Sequence, residues 1–485
     1  MPLKVQRESQ PRSISLGQAR AAQQIWARTG TKGRLALLRR ARYRMAATAE
    51  EMAQTVPCEQ AGALHRNLAD TLISEVLPLV EACRFLEREA AWILAPQRLS
   101  SHTRPFWLRR VTAEIMRDPL GVVLIIAPAN YPLFLPGVQA LQALAAGNAV
   151  LWKPAPGGMA AAEALRDVLV GCGLDPALLQ LLDELAQAGS NAIAGGVDKV
   201  FLTGSATTGT AVLHQLAAHL TPAVMELSGC DAVFVLPGAD VDRTVAALAF
   251  GMRLNGSATC MAPRRVFLVG DHPGLVRALV DQLQSLLPVA LPPHTESQLA
   301  DLLQDARRLG GSILRDESDA GLRYAVILRA SSEMRATQAD IFAPVLCIFD
   351  VPDTDAAIAA HAPCPYALTA AIFGPETQSR TLAQRLPVGT VLINDLIVAT
   401  ADPRVSCGGR KSSGFGLSRG REGLLEMTTL KTIVAQRSRD RRAYRPTTPA
   451  HQPFFAGYIT AVHGGHWVAR WHGLRRFLRA AARLD

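Results

Sequence analysis

Residues 121–155 read GVVLIIAPANYPLFLPGVQALQALAAGNAVLWKPA. Gly121 to Ala127 is a short apolar run rich in Val and Ile, stopped by Pro128. Pro136 to Ala146 carries apolar residues at three- and four-residue spacing and predicts a helix. Ala149 to Trp152 is a second short apolar run. A buried strand, a helix and another buried strand in succession predict a parallel pair, because parallel strands need a long crossover between them.

The same alternation continues outward. Helices are expected over Ala160 to Val170 and Thr208 to Ala218, and a strand over Lys199 to Leu202. A second block starts near Ala232, with strands at Val233 to Val235 and Arg265 to Val269 and helices at Val241 to Leu254 and Pro273 to Leu287. Later strands are expected at Ala325 to Leu328, Val345 to Phe349, Ala370 to Phe373 and Val391 to Asn394. The fold class is α/β, with two adjacent sheet domains and a cleft between them as the expected site. Upstream, Ala19 to Arg28, Lys32 to Glu59 and Ala63 to Glu89 read as helices. Arg104 to Met116, with Phe106-Trp107-Leu108 and Val111 to Met116, reads as paired strands of an arm outside the core.

The chain has 485 residues, 49% of them hydrophobic, which is ample for more than one core. No apolar run reaches the roughly 18 residues of a membrane span. Met1 to Gln10 is polar, so a cytoplasmic location is expected. The eight cysteines are scattered with no C-x-x-C pair, which argues for free thiols. No histidine pair of the H-E-x-x-H kind occurs and four of the eleven histidines lie in the last forty residues, so no metal site is expected. The net charge of +10 is concentrated: Gln436 to Asp485 holds ten arginines and two aspartates. A charge confined to a tail is not the footprint of a nucleic-acid binder.

Four residues and one glycine-bearing turn carry candidate chemistry. Cys260, in Asn255-Gly256-Ser257-Ala258-Thr259-Cys260, follows a run of small residues that implies an exposed turn. A thiolate there attacks a carbonyl carbon and splits one hard reaction into two easier ones. Glu226, in Met225-Glu226-Leu227-Ser228-Gly229, ends an apolar run, where burial raises a carboxyl toward the operating pH of a general base. Asn130 follows the first strand, and its amide can donate to a developing oxyanion. Lys153 ends the second strand, and Thr203-Gly204-Ser205-Ala206-Thr207-Thr208-Gly209 opens a helix after the third, where backbone amides accept a phosphate. Neither a G-x-G-x-x-G nor a Walker A sequence is present. Singly, each has a commoner structural explanation: a packed cysteine, a surface glutamate, a turn asparagine, a solvated lysine.

In this order the motifs resemble the aldehyde dehydrogenase superfamily, from about Gln18 to about Thr432. The resemblance rests on DPLGVVLIIAPANYPL (118–133), ALAAGNAVLWKPA (143–155), KVFLTGSATTG (199–209), MELSG (225–229), NGSATCMAPRRV (255–266), DIFAPV (340–345), GTVLIN (389–394) and CGGRKSSGFGLSRG (407–420). The Thr-Cys-x-Ala-Pro form around Cys260 is similar to the shorter class, which includes fatty and aromatic aldehyde dehydrogenases. The resemblance implies an aldehyde dehydrogenase-like fold: a non-standard Rossmann cofactor domain (1–98 and 118–228), an α/β catalytic domain (229–430) and a small β oligomerisation arm (99–117 with about 431–445).

It implies NAD(P)-dependent oxidation of an aldehyde to a carboxylic acid, with Cys260 as nucleophile, Glu226 activating the deacylating water, and the Asn130 amide with the Cys260 backbone amide as oxyanion hole. Lys153, Gly204, Ser205 and Gly209, with Asp340 and Phe342 near the nicotinamide ribose, are the implied cofactor contacts. Departures are Asp340 for the usual glutamate, Ala343 for glycine, Ser228 and Cys230 in the Glu-Leu-Gly-Gly-Lys segment, Gly256-Ser257-Ala258 before the cysteine, and Ser406-Cys407 in the Pro-Phe-Gly-Gly segment. Pro156 stands where NAD-preferring relatives often have a glutamate, which removes a charge that repels a 2′-phosphate, so NADP or both dinucleotides are expected. A homodimer is expected from the shorter class. The rivals are a CoA-acylating aldehyde dehydrogenase, a branch that usually lacks the base glutamate, and a non-catalytic protein on the same scaffold.

Past Ile433 the resemblance fades. Arg437 to Arg445 with Pro446, Pro449 and Pro453 reads as a charged linker, and Phe454 to Tyr458 as an exposed aromatic patch. Trp467, Trp471, Leu474, Leu478 and Ala481 recur at helical spacing, with arginines mostly off that stripe. Residues 446–485 therefore read as a basic amphipathic tail, docked on a subunit or lying on a membrane surface.

Overall fold

The computed structural model describes residues 15–57, 66–439 and 444–484. The chain divides into two compact units. One comprises the N-terminal part up to Pro96 together with Met116–Lys431, and the other Gln97–Ile115 with Thr432–Asp485. The tail thus belongs with the arm instead of forming a segment of its own.

The larger unit holds two sheets. The first has six strands in the order Gly414–Phe415, Ala223–Glu226, Lys199–Thr203, Val122–Ile126, Ala149–Lys153 and Leu179–Leu181. All neighbours are parallel except Gly414–Phe415, which pairs antiparallel with Ala223–Glu226. Val122 to Ile125 are wholly buried, as a strand covered by helices on both faces requires. Each such side chain contributes roughly 1.5–3 kcal/mol of burial. The covering helices include Leu16–Arg28, Gly30–Ala47, Leu77–Ile93 and Phe134–Ala146, whose residues share one core with this sheet.

The second sheet has seven strands in the order Ser312–Ser318, Gly321–Leu328, Val345–Val351, Pro263–Val269, Asp231–Val235, Thr369–Phe373 and Thr390–Ile393. Only its first pair is antiparallel. A separate core lies on each of its faces. The change of core falls between Leu227 and Ala232, just after Glu226. The short strand Gly414–Phe415 comes from beyond the second sheet in sequence and closes the edge of the first one opposite Glu226.

The smaller unit holds a three-stranded sheet of Gln97–Arg98, Val111–Pro119 and Thr428–Gln436, whose last two strands run on into the larger unit, and two helices, His451–His463 and Trp467–Ala481. Three readings are corrected. Phe106–Leu108 is one 3-10 turn, not a strand. Pro105, at φ −54°, starts it, and the Leu108 N–H closes it on the Pro105 carbonyl. Lys32 to Glu59 is two helices, Gly30–Ala47 and Ala49–Gln54, with Cys58 and Glu59 outside the described residues. Pro453 lies in the first turn of His451–His463, where a missing N–H costs nothing, and is not part of a linker. Ala63 to His65 and residues 440–443 also lie outside the described residues.

Candidate active site

Cys260 lies just past a sharp turn at the end of the helix Val241–Arg253. Asn255, Gly256 and Ser257 all have positive φ, at 54°, 59° and 66°. Two of the three are not glycine, so the turn is strained and must be held from outside. Arg264 holds one side: its Nη1 donates to Ser257 Oγ at 2.8 Å and its Nη2 to the Ser257 carbonyl at 2.7 Å. Arg66 holds the other, its Nε donating to Asn255 Oδ1 at 2.7 Å. The Asn255 amide in turn donates to the carbonyls of Asn130 and Ala258, both at 3.0 Å.

Asn130 is brought onto this turn directly. Its Nδ2 donates to the Ala258 carbonyl at 2.9 Å. A primary amide has a second N–H, which is the donor an oxyanion beside Cys260 would use. Arg66 also donates to the Asn130 carbonyl and, at 2.6 Å, to Glu75 Oε1, and both partners of this ion pair are buried. Glu75 further accepts the backbone N–H groups of Phe134, at 2.7 Å, and Leu133, at 3.2 Å. Tyr131 lies under the Arg66 guanidinium, and its hydroxyl is 2.7 Å from Thr259 Oγ1. One buried network thus ties the Asn130 segment to the cysteine turn.

Burial, then the charges of Asp231 and Glu226, push the Cys260 thiol well above its ordinary value, against the pull of Arg419. The Cys260 thiol is thereby held toward its protonated form. Burial likewise raises Glu226, opposed by Ser418, Arg419 and Gln139. Gln139 Nε2 donates to Glu226 Oε1 at 3.2 Å. The Glu226 backbone is fixed on both sides, by Lys199–Thr203 and by Gly414–Phe415. Gly229 matters here for close approach, since a Cβ would run into the Cys260 carbonyl. Glu226, Asn130 and Cys260, far apart in sequence, are therefore brought into one electrostatic neighbourhood.

Sequence reasoning missed four residues. Arg66 and Glu75 are the buried pair above. Asp231 sits three residues before Phe234 at the start of a wholly buried strand. The Thr369 N–H donates to its Oδ1 at 3.1 Å and the Thr369 hydroxyl to its Oδ2. Arg419 is buried at φ 57°, donates to the Thr400 carbonyl at 2.7 Å and to Cys407 Sγ, and acts on the charges of Glu226 and Cys260. Arg419 also lines a narrow, mainly apolar cleft with Phe85, Leu86, Phe134 and Val138. A charged residue among glycines and serines at 407–420 was the available signal.

Burial pushes the Asp231 carboxyl up to about 7 from an ordinary 3.8, against its Thr369 hydrogen bonds. With the folded-state value raised, this group favours the native state most below about pH 4, and that stability is lost as pH rises through 7. Asp231→Asn retains the Thr369 N–H bond at its Oδ1, lets its Nδ2 donate to the Thr369 hydroxyl, and removes the buried charge. It is expected to melt higher than the wild type at pH 8, the gain vanishing near pH 4. It should also speed alkylation of Cys260 at neutral pH. A lower melting temperature at pH 8 contradicts this assignment.

The other expected positions fit a dinucleotide. Ser205 caps the helix Ala206–Ala217, its Oγ accepting the Thr208 N–H at 3.1 Å, and the space above Gly204 is open save for Leu202 at 3.6 Å. A phosphate can approach the amide end there. Gly209 does a different job: it is buried, and a Cβ would meet Leu227 at 2.8 Å, so it lets the helix pack on the strand end. Lys153 is buried at its strand end, and burial lowers its ammonium against the raising charges of Glu184 and Asp183. Asp340 is raised by burial, opposed by the Ser228 hydroxyl and Arg264, which places it beside the segment after Glu226. Phe342 is the exposed residue of its buried neighbours Ile341 and Ala343. Among the described residues no group of three or more His, Cys, Asp or Glu could hold a metal ion.

Residues 13–433 match the model of the aldehyde dehydrogenase family. A 4,4'-diapolycopene aldehyde oxidase from Methylomonas is 29% identical over 417 residues, covering 81% of this chain and 77% of the relative. An NADP-linked succinate-semialdehyde dehydrogenase from Deinococcus radiodurans is also 29% identical, over 84% of this chain and 87% of its own. A Mycobacterium tuberculosis aldehyde dehydrogenase solved with NAD+ shares the fold at a TM-score of 0.77 and 22% identity, over 86% of this chain and 88% of that one. The chain belongs to the aldehyde dehydrogenase family and is an oxidoreductase acting on aldehydes.

Proposed function

We propose that this enzyme oxidises a lipophilic aldehyde to its carboxylic acid through a thioester on Cys260. The observation that carries the reading is the Asn130–Asn255–Arg66 network, which holds an amide donor on the turn of a cysteine that feels the charge of Glu226. A bound dinucleotide, NAD or NADP, would supply the hydride acceptor. Lys153, Gly204 and Ser205 would hold it, together with Asp340 and Phe342. Gly209 serves only the helix packing on which that amide end depends.

Cys260 Sγ bonds to the aldehyde carbon, and its proton leaves to solvent or to Glu226. The second Asn130 N–H and the Cys260 backbone N–H face the resulting oxyanion. Once hydride has left, the carbon is a thioester. Glu226, raised by burial against the pull of Arg419, takes a proton from a water that attacks the thioester carbon. The acid leaves and the thiol is restored. Free acid as product, with no acceleration by coenzyme A, distinguishes this from the CoA-acylating alternative. A non-catalytic protein would not need the strained turn to be held at three points.

The likeness to an oxidase of a polyene aldehyde supports a lipophilic substrate. Pro156 is exposed and uncharged, which supports NADP use. Initial rates with short, aromatic and long apolar aldehydes, each with NAD and NADP, test both. The expected result is the highest kcat/KM with the long apolar aldehydes and NADP accepted at least as well as NAD. A strong preference for NAD overturns the second point.

The reading extends to assembly. Thr428–Gln436 is an edge strand with Leu430, Ile433 and Val434 exposed, which suits a homodimer. Among the described residues no helix is long and apolar enough to cross a membrane. The enzyme works in the cytoplasm with its tail in peripheral contact with a membrane surface.

A further inference from the structure

We infer that the C-terminal helical hairpin docks on anionic lipid through the tryptophan stripe of its second helix. This rests on the peripheral contact proposed above and names the face and the lipid chemistry. The helices His451–His463 and Trp467–Ala481 pack closely through glycines. A Cβ on Gly457 would meet the backbone of Phe477, and one on Gly473 the backbone of Ala461. Phe477 also packs on Phe454 and Tyr458, with ring centroids at 4.7 and 5.6 Å. The hairpin is thus closed by its own glycine and aromatic face, and the stripe Trp467, Trp471, Leu474 and Leu478 takes no part in it.

That stripe faces solvent: Trp467 is 79% exposed and Trp471 54%. Phe455, Ile459 and Val462, at four- and three-residue spacing, are exposed on the first helix. An open groove lined by Val462, Trp467, Trp471 and Leu474 runs between them. Arg470, three residues after Trp467, and Arg475, four after Trp471, flank the stripe on its two sides. Tryptophan prefers the bilayer interface, and a long arginine stem lets its head reach the lipid phosphates.

Charge decides the occupant. Residues 444–484 contain six arginines and no Asp, Glu or Lys. A second copy would bring the same all-basic surface and repel. An anionic bilayer attracts it, by a factor of about five in partitioning per arginine near the surface. Nucleic acid would answer the arginines and leave the Trp-Leu stripe unused.

The test is sedimentation of the full-length enzyme with vesicles of phosphatidylcholine alone or mixed with phosphatidylglycerol. Binding is expected to the mixed vesicles and to weaken as salt rises. Arg470→Gln/Arg475→Gln/Arg479→Gln should weaken it about 100-fold, following the same per-arginine factor. Trp467→Ala/Trp471→Ala/Leu478→Ala should weaken it at least about tenfold. Both variants should oxidise a short, water-soluble aldehyde at the wild-type rate. No binding of the wild type to mixed vesicles overturns the inference. So does a fall in molecular mass by light scattering in the tryptophan variant, or duplex DNA binding that the arginines alone control. Loss of short-aldehyde oxidation by the wild type instead refutes the enzymatic reading, so the two failures are separable.

Discussion

Replacing Cys260 by alanine is expected to remove aldehyde-dependent reduction of the dinucleotide, a fall of at least about 10⁴-fold, as for other covalent nucleophiles. Dinucleotide affinity should stay within a factor of two, because no expected cofactor contact involves that side chain. The other described cysteines cannot substitute. Cys83, Cys230, Cys347, Cys364 and Cys407 are buried, and Cys172 is the C-cap residue of the helix Met159–Gly171, outside the Cys260 turn. With the Cys260 thiol held up by burial and by Asp231 and Glu226, the thiolate fraction should grow about tenfold per pH unit through the neutral range. Alkylation by iodoacetamide, followed at the Cys260 peptide, checks this. A rate independent of pH from 6 to about 8 would mean a preformed thiolate and contradict the electrostatics described.

Arg66→Met should be the most damaging change outside the reacting groups. It leaves Glu75 buried without its cation, which costs about 3–5 kcal/mol. Glu75 is already raised by burial and held down chiefly by Arg66. The same change removes one bond to Asn255 and one of the two to the Asn130 carbonyl, so the strained turn is held less firmly. Stability and kcat should fall together. Adding Glu75→Gln should restore part of the stability, since no charge is then stranded, and little of the kcat. Urea denaturation and steady-state rates on the single and double variants separate the two effects. Equal recovery of both would show that the network matters for folding alone.

The inner sheet strands were readable because they are short apolar runs, two of them closed at Pro128 and Pro154, whereas Leu179–Leu181 and the polar edge strand Ser312–Ser318 were not. Glu226 and Cys260 were readable because a charged or reactive residue ends such a run or follows a cluster of small ones. The network behind them was not. Arg66 meets Asn255 across 189 residues, and no local pattern marks that meeting. Asp231 lay outside the strand expected at Val233 to Val235, with no pattern to mark it. Gly414–Phe415 is too short for periodicity, yet it closes the sheet beside Glu226. Phe106–Leu108 has strand-like composition, and Pro105 decides against it. In the tail, the stripe of Trp467, Trp471, Leu474 and Leu478 was legible, whereas its exposure depends on Gly457 and Gly473 taking over the helix contact, which spacing alone does not reveal.

The most direct measurement is a single-turnover experiment on Glu226→Gln with aldehyde and dinucleotide, reading absorbance and the mass of the protein after quenching. One equivalent of reduced dinucleotide should form rapidly, followed by near arrest, with an acyl group on the Cys260 peptide. Steady turnover at the wild-type rate, or an acyl group on any other residue, would contradict the account.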